Sequence, residues 1–230
     1  MKYIVANWKM NMDSNDLNKW IGGFKEELRE IDLEKHKEKL TVIVAPSNLY
    51  IPIIHWKLKD LGAGTQLVKI ASQDTSVYDK GAHTGEVGGY QLSEYCGYSI
   101  VGHSERKESK DIVLKKAEMC LKNRITPIIC FVSPELSADY YKDGSILAWE
   151  DPSNISVEGH YKNKEAGEVA GGFGKIRNYI ETGKKVIYGG SVNEKNVEDL
   201  AKVEGLDGVL VGNASLNPKS FAQIIKAFCI

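Results

Sequence analysis

The chain has 230 residues, of which 42% are hydrophobic and 27% charged, and its formal net charge is -1. This is ordinary globular composition, and it excludes the basic surface typical of a nucleic-acid-binding protein. No apolar run approaches the roughly 18 residues of a membrane span, and the N-terminal segment has no signal-peptide pattern. The four cysteines show neither CxxC pairs nor metal-ligand spacing. We therefore expect reduced thiols, a cytoplasmic location, no metal site, and neither a nucleic-acid nor a membrane partner.

Short β-branched runs alternate along the chain with longer segments in which apolar residues recur every three or four positions. Eight of the short runs are predicted to be strands, at 3–7, 41–45, 68–72, 98–102, 126–131, 145–150, 185–189 and 208–212. Several of these runs are almost entirely apolar, which is typical of strands buried on both faces of a parallel sheet.

The longer segments are predicted to be amphipathic helices. Asp13 or Ser14 is the expected N-cap of the first, Ser109 of another and Asn193 of a third. The predicted buried faces contain Leu17, Trp20, Ile21, Phe24 and Leu28; Ile112, Ala117, Cys120 and Leu121; Val197, Leu200 and Ala201; and, in the last helix, Phe221, Ile224, Ile225 and Phe228. Two short helices are expected at 93–96 and 134–141.

Eight β/α units without a break in composition predict one domain over residues 1–230. The expected architecture is a closed (β/α)8 barrel with a shortened fifth helix. The alternative is an open, doubly wound sheet, which fits the spacing of the elements. No GxGxxG motif opens the first βα turn, however, so the dinucleotide-binding form of that sheet lacks support.

Three predicted strand ends carry reactive side chains. Lys9 follows the first strand, His103 the fourth and Glu150 ends the sixth, while glycine-rich turns follow the seventh and eighth. Functional groups of a parallel barrel gather at the C-terminal ends of its strands. Glycine-rich turns bind phosphate through backbone N–H groups. A carboxylate, an imidazole and an ammonium beside such a site suit abstraction of a proton next to a carbonyl group.

Taken singly, each of these features has a simpler interpretation. Lys9 could be an exposed loop lysine, His103 a hydrogen-bonded structural histidine and Glu150 a surface acid. The Gly-Gly-Ser sequence at 189–191 could form any tight turn. Their joint placement at strand ends favours an active site.

Five segments, in order along the chain, resemble the signature segments of the triosephosphate isomerase family. They are NWKMN (7–11), GAHTGEV (81–87), VGHSER (101–106), YGGSV (188–192) and LVGNASL (210–216). The resemblance implies a TIM barrel that interconverts dihydroxyacetone phosphate and D-glyceraldehyde 3-phosphate through an enediolate, without a cofactor.

The resemblance also implies a role for individual residues. Glu150 matches the catalytic base, His103 the electrophile that polarises the carbonyl, and Lys9 the catalytic cation, with Glu105 pairing with Lys9. The implied substrate-binding residues are Asn7, Lys9, Ser156, Ser191, Gly212 and Asn213.

The segment after the base departs from the family pattern. Asp151 stands where the family usually begins a Pro-Val-Trp hinge, and Ser156 takes the place of a lid glycine. The altered loop, 151–159, motivates an alternative function, a weakly active or non-catalytic phosphate-binding barrel. A related barrel from another pathway is a third hypothesis, against which the joint presence of the strand-end residues speaks.

The resemblance predicts a homodimer held by the third loop, from Tyr78 to Val87, with Thr84 reaching into the neighbouring subunit's site. The stretch from 130 to 150 is short, as in archaeal members, which are often tetramers, so a tetramer remains the alternative. Tyr188 and Ser191 match residues that contact the closed lid in the family, which favours a moving lid.

Overall fold

The computed structural model describes residues 1–60, 67–151 and 165–229. Within these ranges eight parallel strands close into a barrel, each paired with its sequence neighbours and the last paired with the first. The strands are β1 (Lys2–Asn7), β2 (Leu40–Ala45), β3 (Val68–Ser72), β4 (Tyr98–Val101), β5 (Thr126–Phe131), β6 (Ile146–Trp149), β7 (Lys185–Tyr188) and β8 (Gly208–Val211). The predicted (β/α)8 barrel is confirmed, and the open-sheet alternative is wrong.

Helices connect the strands on the outside of the barrel. The described α-helices are α1 (Ser14–Leu28), α2 (Leu33–His36), α3 (Ile51–Asp60), α4 (Gly89–Leu92), α5 (Lys110–Lys122), α6 (Ser137–Tyr140), α7 (Ala166–Arg177), α8 (Val197–Ala201) and α9 (Pro218–Ala227). The connection between β5 and β6 holds only a 3-10 turn and the four-residue α6, which confirms the shortened fifth helix. None of the described helices is both long and apolar enough to cross a membrane.

Side-chain caps fix the starts of two predicted helices. The Asp13 carboxylate accepts hydrogen bonds from the N–H groups of Asn15 and Asp16, at 2.8 and 2.9 Å, so α1 begins at Ser14. Ser109 caps α5 by accepting from the N–H of Ile112. Both caps agree with the sequence prediction.

Two predicted helix positions are wrong. Asn193 does not cap α8, because its side chain accepts a hydrogen bond from the N–H of Lys195 in the preceding turn, and the helix begins only at Val197. The short helix before β4 is Gly89–Leu92, and 93–95 form a turn instead.

The predicted buried face of α5 is also shifted. Ile112 and Leu121 are only half-buried, and the residues that face the barrel are Val113, Lys116, Ala117 and Cys120. A lysine, Lys116, therefore occupies an inward position that the apolar pattern did not include.

The core has two layers, because successive strand residues point to opposite faces. In β1, Val5 points into the barrel, while Ile4 and Ala6 pack outward against the helices. The interior layer consists of Val5, Ile43, Ala45, Ala71, Ile100, Ile128, Cys130, Ile146, Ala148, Ile187 and Leu210. This packed interior leaves room for a site only at the rims. The assignment of residues 1–230 to one domain stays a prediction.

Candidate active site

A cavity of about 630 Å³ opens at the C-terminal rim, between the loops that follow β1, β4, β6, β7 and β8. The predicted site residues that line it are Asn7, Lys9, His103, Glu150, Ser191, Gly212 and Asn213. Ser156 and the rest of the segment 152–164 lie outside the described residues. The pocket therefore brings together every predicted site residue that the structure describes.

Glu150 directly follows β6 and is only 2% exposed. Its Oε2 accepts a hydrogen bond from the backbone N–H of Ser104 at 2.9 Å, and its Oε1 accepts one from the Ser104 hydroxyl at 2.9 Å. Oε1 also lies 3.2 Å from Nε2 of His103. Burying a carboxylate is costly unless it is hydrogen-bonded, and these contacts satisfy it. The interpretation of Glu150 as a surface acid is wrong.

His103 is buried and caps the start of the 3-10 turn Ser104–Arg106. The backbone N–H of Glu105 lies 3.3 Å from its Nδ1. Because a backbone N–H can only donate, Nδ1 is the acceptor, and the proton of the neutral ring is on Nε2. The Nε2–H group therefore faces Glu150 and can donate to an oxygen in the pocket.

Gly102 sets the direction of the turn that carries His103. Its φ is +71°, and a Cβ atom there would lie 2.6 Å from the side chain of Val113 on α5. Only glycine combines this left-handed conformation with so close an approach to the helix.

Lys9 lies opposite, in the loop after β1, with a φ of 51° that is unusual for a residue with a side chain. Its N–H donates to the Asn7 side chain at 3.1 Å, and its ammonium lies 2.5 Å from Glu105 Oε1. The predicted pairing of Lys9 with Glu105 is thus present. A Cβ on Gly212 would lie 3.7 Å from Lys9 Cε, so the lysine stem passes beside the loop after β8.

The loops after β7 and β8 form the remaining wall through Gly189, Gly190, Ser191, Gly212 and Asn213. Asn213 begins a 3-10 turn and is not among the residues with positive φ, so an asparagine fits there without backbone strain. Backbone N–H groups of such small-residue turns can bind a phosphate.

Two residues beside Glu150 were not predicted as part of the site. Ser104 supplies two of its donors, and the buried Cys130 of β5 lies next to it inside the barrel. Burial, the charge of Glu150 and a hydrogen bond with Glu150 all raise the pKa of Cys130 well above its usual value. Cys130 is therefore a neutral thiol at physiological pH. The position of Ser104 directly after His103 was the available signal, whereas Cys130 resembles any core residue in sequence.

No group of three or more histidine, cysteine, aspartate or glutamate side chains within the described ranges could hold a metal ion. The described residues bring a carboxylate, an imidazole, an ammonium and backbone N–H groups to the pocket.

The triosephosphate isomerase family model matches the sequence over residues 2–149 and 132–228. The chain is 32% identical to the triosephosphate isomerase of Mesomycoplasma hyopneumoniae (strain 232), in an alignment that covers 97% of this chain and 98% of the relative. It is 29% identical to that of Aquifex aeolicus (strain VF5), covering 99% of both, and 31% identical to that of Synechococcus sp. (strain WH7803), covering 96% of both. The chain belongs to the triosephosphate isomerase family.

Proposed function

We propose that this chain interconverts dihydroxyacetone phosphate and D-glyceraldehyde 3-phosphate through an enediolate intermediate. Its family makes it an isomerase. The observation that carries the proposal is the position of the Glu150 carboxylate, 3.2 Å from Nε2 of His103 in a pocket that Lys9 also lines. A base, a neutral hydrogen-bond donor and a cation are the groups that this reaction requires.

In the proposed reaction Glu150 leaves Ser104, takes a proton from the hydroxyl-bearing carbon next to the carbonyl and returns it to the former carbonyl carbon, while the hydroxyl proton passes to the former carbonyl oxygen. The Nε2–H group of His103 donates to the oxygen on which negative charge develops. Lys9 adds positive potential at the same oxygen. Because the hydroxyl and backbone N–H of Ser104 are neutral donors, the carboxylate leaves them without breaking an ion pair with a lysine or arginine.

The phosphate group of the substrate would lie against the loops after β7 and β8. Ser191, Gly212 and Asn213 would offer backbone N–H groups, and Asn7 would help to hold Lys9 in place. The contribution of Ser156 stays a prediction from the resemblance. Exclusion of water from the closed site would protect the enediolate from side reactions such as loss of phosphate.

We also propose that the chain acts as a cytoplasmic homodimer without a cofactor. Residues 80–86 of the third loop are all exposed, and Tyr78 stacks on His83 with 3.7 Å between ring centroids. Met10, beside Lys9, is 96% exposed. A large apolar side chain next to a catalytic lysine is a natural contact for the third loop of a second copy, which would carry Thr84 toward the site.

The substitution Glu150→Gln tests the proposed function. It keeps the shape of the side chain but removes the base, so we expect kcat to fall by about 10³-fold or more. The matched control is Glu135→Gln, at an exposed glutamate of the 3-10 turn after β5, which should keep wild-type turnover. Turnover would be measured with a coupled enzyme assay, and folding by circular dichroism.

A Glu150→Gln variant that stays within about tenfold of wild type, roughly 1.4 kcal/mol, would contradict the assignment of the base. A wild-type protein that binds inorganic phosphate but turns over at background rate would instead support the alternative of a non-catalytic phosphate-binding barrel.

A further inference from the structure

A group of four charged residues, built around the buried side chain of Lys116, lies behind the loops of the C-terminal rim. The Lys116 ammonium, on the inward face of α5, donates to both carboxylate oxygens of Asp74 at 2.7 Å and to Glu108 Oε1 at 2.6 Å. Arg106 completes the group, with Nη2 2.8 Å from Asp74 and Nε 3.1 Å from Glu108. We call these four residues the ionic cluster. None of them lines the rim pocket.

The ionic cluster is balanced in charge, and its centre at Lys116 is shielded from water, while Arg106 is 46% exposed at its edge. Two acids face two bases, the Lys116 side chain is only 7% exposed, and its three N–H groups are all used. Burial raises the pKa of Asp74, although the hydrogen bond and charge of Lys116 oppose this shift. Removing one partner of such a buried pair leaves an uncompensated charge inside the protein. The cluster is therefore a strong constraint on the segments that contribute to it.

One of those segments is the loop after β3. Gln73, next to Asp74, donates through Nε2 to the carbonyl of Lys9 at 3.0 Å and to the carbonyl of Ala45 at 2.8 Å. A left-handed conformation at a residue such as Lys9 persists only where neighbouring groups hold it. Gln73 thus holds the strained backbone of Lys9.

The second segment is the turn after β4. Arg106 belongs to the same 3-10 turn as Glu105, which binds the Lys9 ammonium. The backbone of Lys9 and its charged end are therefore held by two residues, each adjacent in sequence to a member of the ionic cluster.

We propose that Lys116 is a positioning residue for Lys9, although it does not touch the pocket. By binding Asp74 and Glu108 it fixes the loops after β3 and β4 relative to each other. Those loops carry Gln73 and Glu105, which hold the carbonyl and the ammonium of Lys9. This inference rests on the proposed function insofar as it assigns Lys9 a role in turnover.

The substitution Lys116→Met removes the charge and keeps a chain of similar length. A shift of about 1 Å in a catalytic group can cost about 10²-fold, so we expect kcat/KM to fall by at least about tenfold. Lys110→Met is the matched control: Lys110 is on the same helix and pairs with Asp139 in an exposed contact. It should stay within about twofold of wild type.

A double-mutant cycle with Lys9→Ala separates positioning from a merely structural role. If Lys116 acts through Lys9, then Lys116→Met should lower kcat/KM by less than about threefold in the Lys9→Ala background. The same factor in both backgrounds, or no loss in the wild-type background, would overturn the proposal. The proteins should be produced in a host that lacks its own isomerase.

The double variant Asp74→Asn/Lys116→Met removes one acid and one base, so the net charge of the ionic cluster stays zero. It therefore lacks the uncompensated charge that Lys116→Met leaves inside the protein. We expect this variant to fold like wild type. Its kcat/KM should still be at least about tenfold below that of wild type, because Lys116 no longer joins the loops after β3 and β4. Full recovery would mean that Lys116 only balances charge. Affinity for inorganic phosphate, measured by calorimetry on the cycle proteins, should follow the same non-additive pattern. A wild-type protein without isomerase activity would refute the proposed function. The double-mutant cycle measured through phosphate affinity would still show whether Lys116 acts through Lys9.

Discussion

Two largely buried carboxylates at opposite ends of the barrel are held in different ways. At the N-terminal end, Asp207 accepts hydrogen bonds from Arg177 and Lys185, each at 3.1 Å, and from the N–H of Val186 at 3.0 Å. At the C-terminal end, the N–H and hydroxyl of Ser104 donate to Glu150, which also lies beside the imidazole of His103 and the thiol of Cys130. In the part of the chain that the structure describes, no lysine or arginine forms an ion pair with Glu150.

The difference separates a carboxylate held by cations from the proposed base, which is held by neutral donors. Attraction between opposite charges is strong where water is excluded, so two cations keep Asp207 in one position. Neutral donors also satisfy the hydrogen-bonding capacity of the Glu150 carboxylate. Exchanging them for other partners costs less free energy than separating a carboxylate from two cations. A base that has to move toward a substrate needs the second arrangement.

The largest effect that this comparison predicts is on stability, at the N-terminal end. Asp207→Asn leaves Arg177 and Lys185 without their carboxylate, and we expect the free energy of unfolding to fall by about 2 kcal/mol. The kcat of the folded protein should stay within about twofold of wild type. Urea unfolding and the coupled assay measure the two quantities.

The control for Asp207 is Asp143→Asn, which removes the pair with Lys184 at a carboxylate whose side chain is 90% exposed. It should change the free energy of unfolding by less than about 0.5 kcal/mol. Equal losses of unfolding free energy in the two variants would show that the ion pairs of Asp207 contribute no more stability than the exposed pair of Asp143.

A smaller effect is expected at the C-terminal end. Ser104→Ala removes the hydroxyl donor to Glu150 but keeps the backbone donor, so the carboxylate is held less well beside His103. We expect kcat/KM to fall by about tenfold while the free energy of unfolding changes by less than about 1 kcal/mol. Ser93→Ala, which removes an exposed hydroxyl bonded to the carbonyl of Tyr90, should leave both values unchanged. A Ser104→Ala protein that loses stability but not activity would contradict the comparison, because the contacts of Glu150 would then serve the fold and not turnover.

Hydrophobic periodicity was enough to predict the barrel. Each predicted strand is present with ends that differ by at most one residue, because all eight are short apolar runs between polar loops. Asp13 and Ser109 identified their helix starts for a local reason, the side-chain hydrogen bond to a nearby N–H. Asn193 failed because the same type of side chain also stabilises turns.

The site was predictable in its composition but not in its contacts. Reactive residues at strand ends gather at one rim in any parallel barrel, and the family resemblance assigned their roles. The donors to Glu150 and the burial of Lys116 depend on pairs that are distant in sequence, such as Ser104 with Glu150. A lysine at an inward helix position contradicts the apolar pattern and can be explained only once Asp74 and Glu108 are seen beside it.

Proton transfer by Glu150 is tested most directly by following the reaction in D2O with NMR. If the carboxylate takes a proton from carbon and returns it, deuterium from the solvent enters the carbon-bound position of the isomerised product. We expect this incorporation with wild-type protein and at least about 10³-fold slower incorporation with Glu150→Gln. Product that forms without any solvent deuterium, or incorporation at an unchanged rate in Glu150→Gln, would contradict the account.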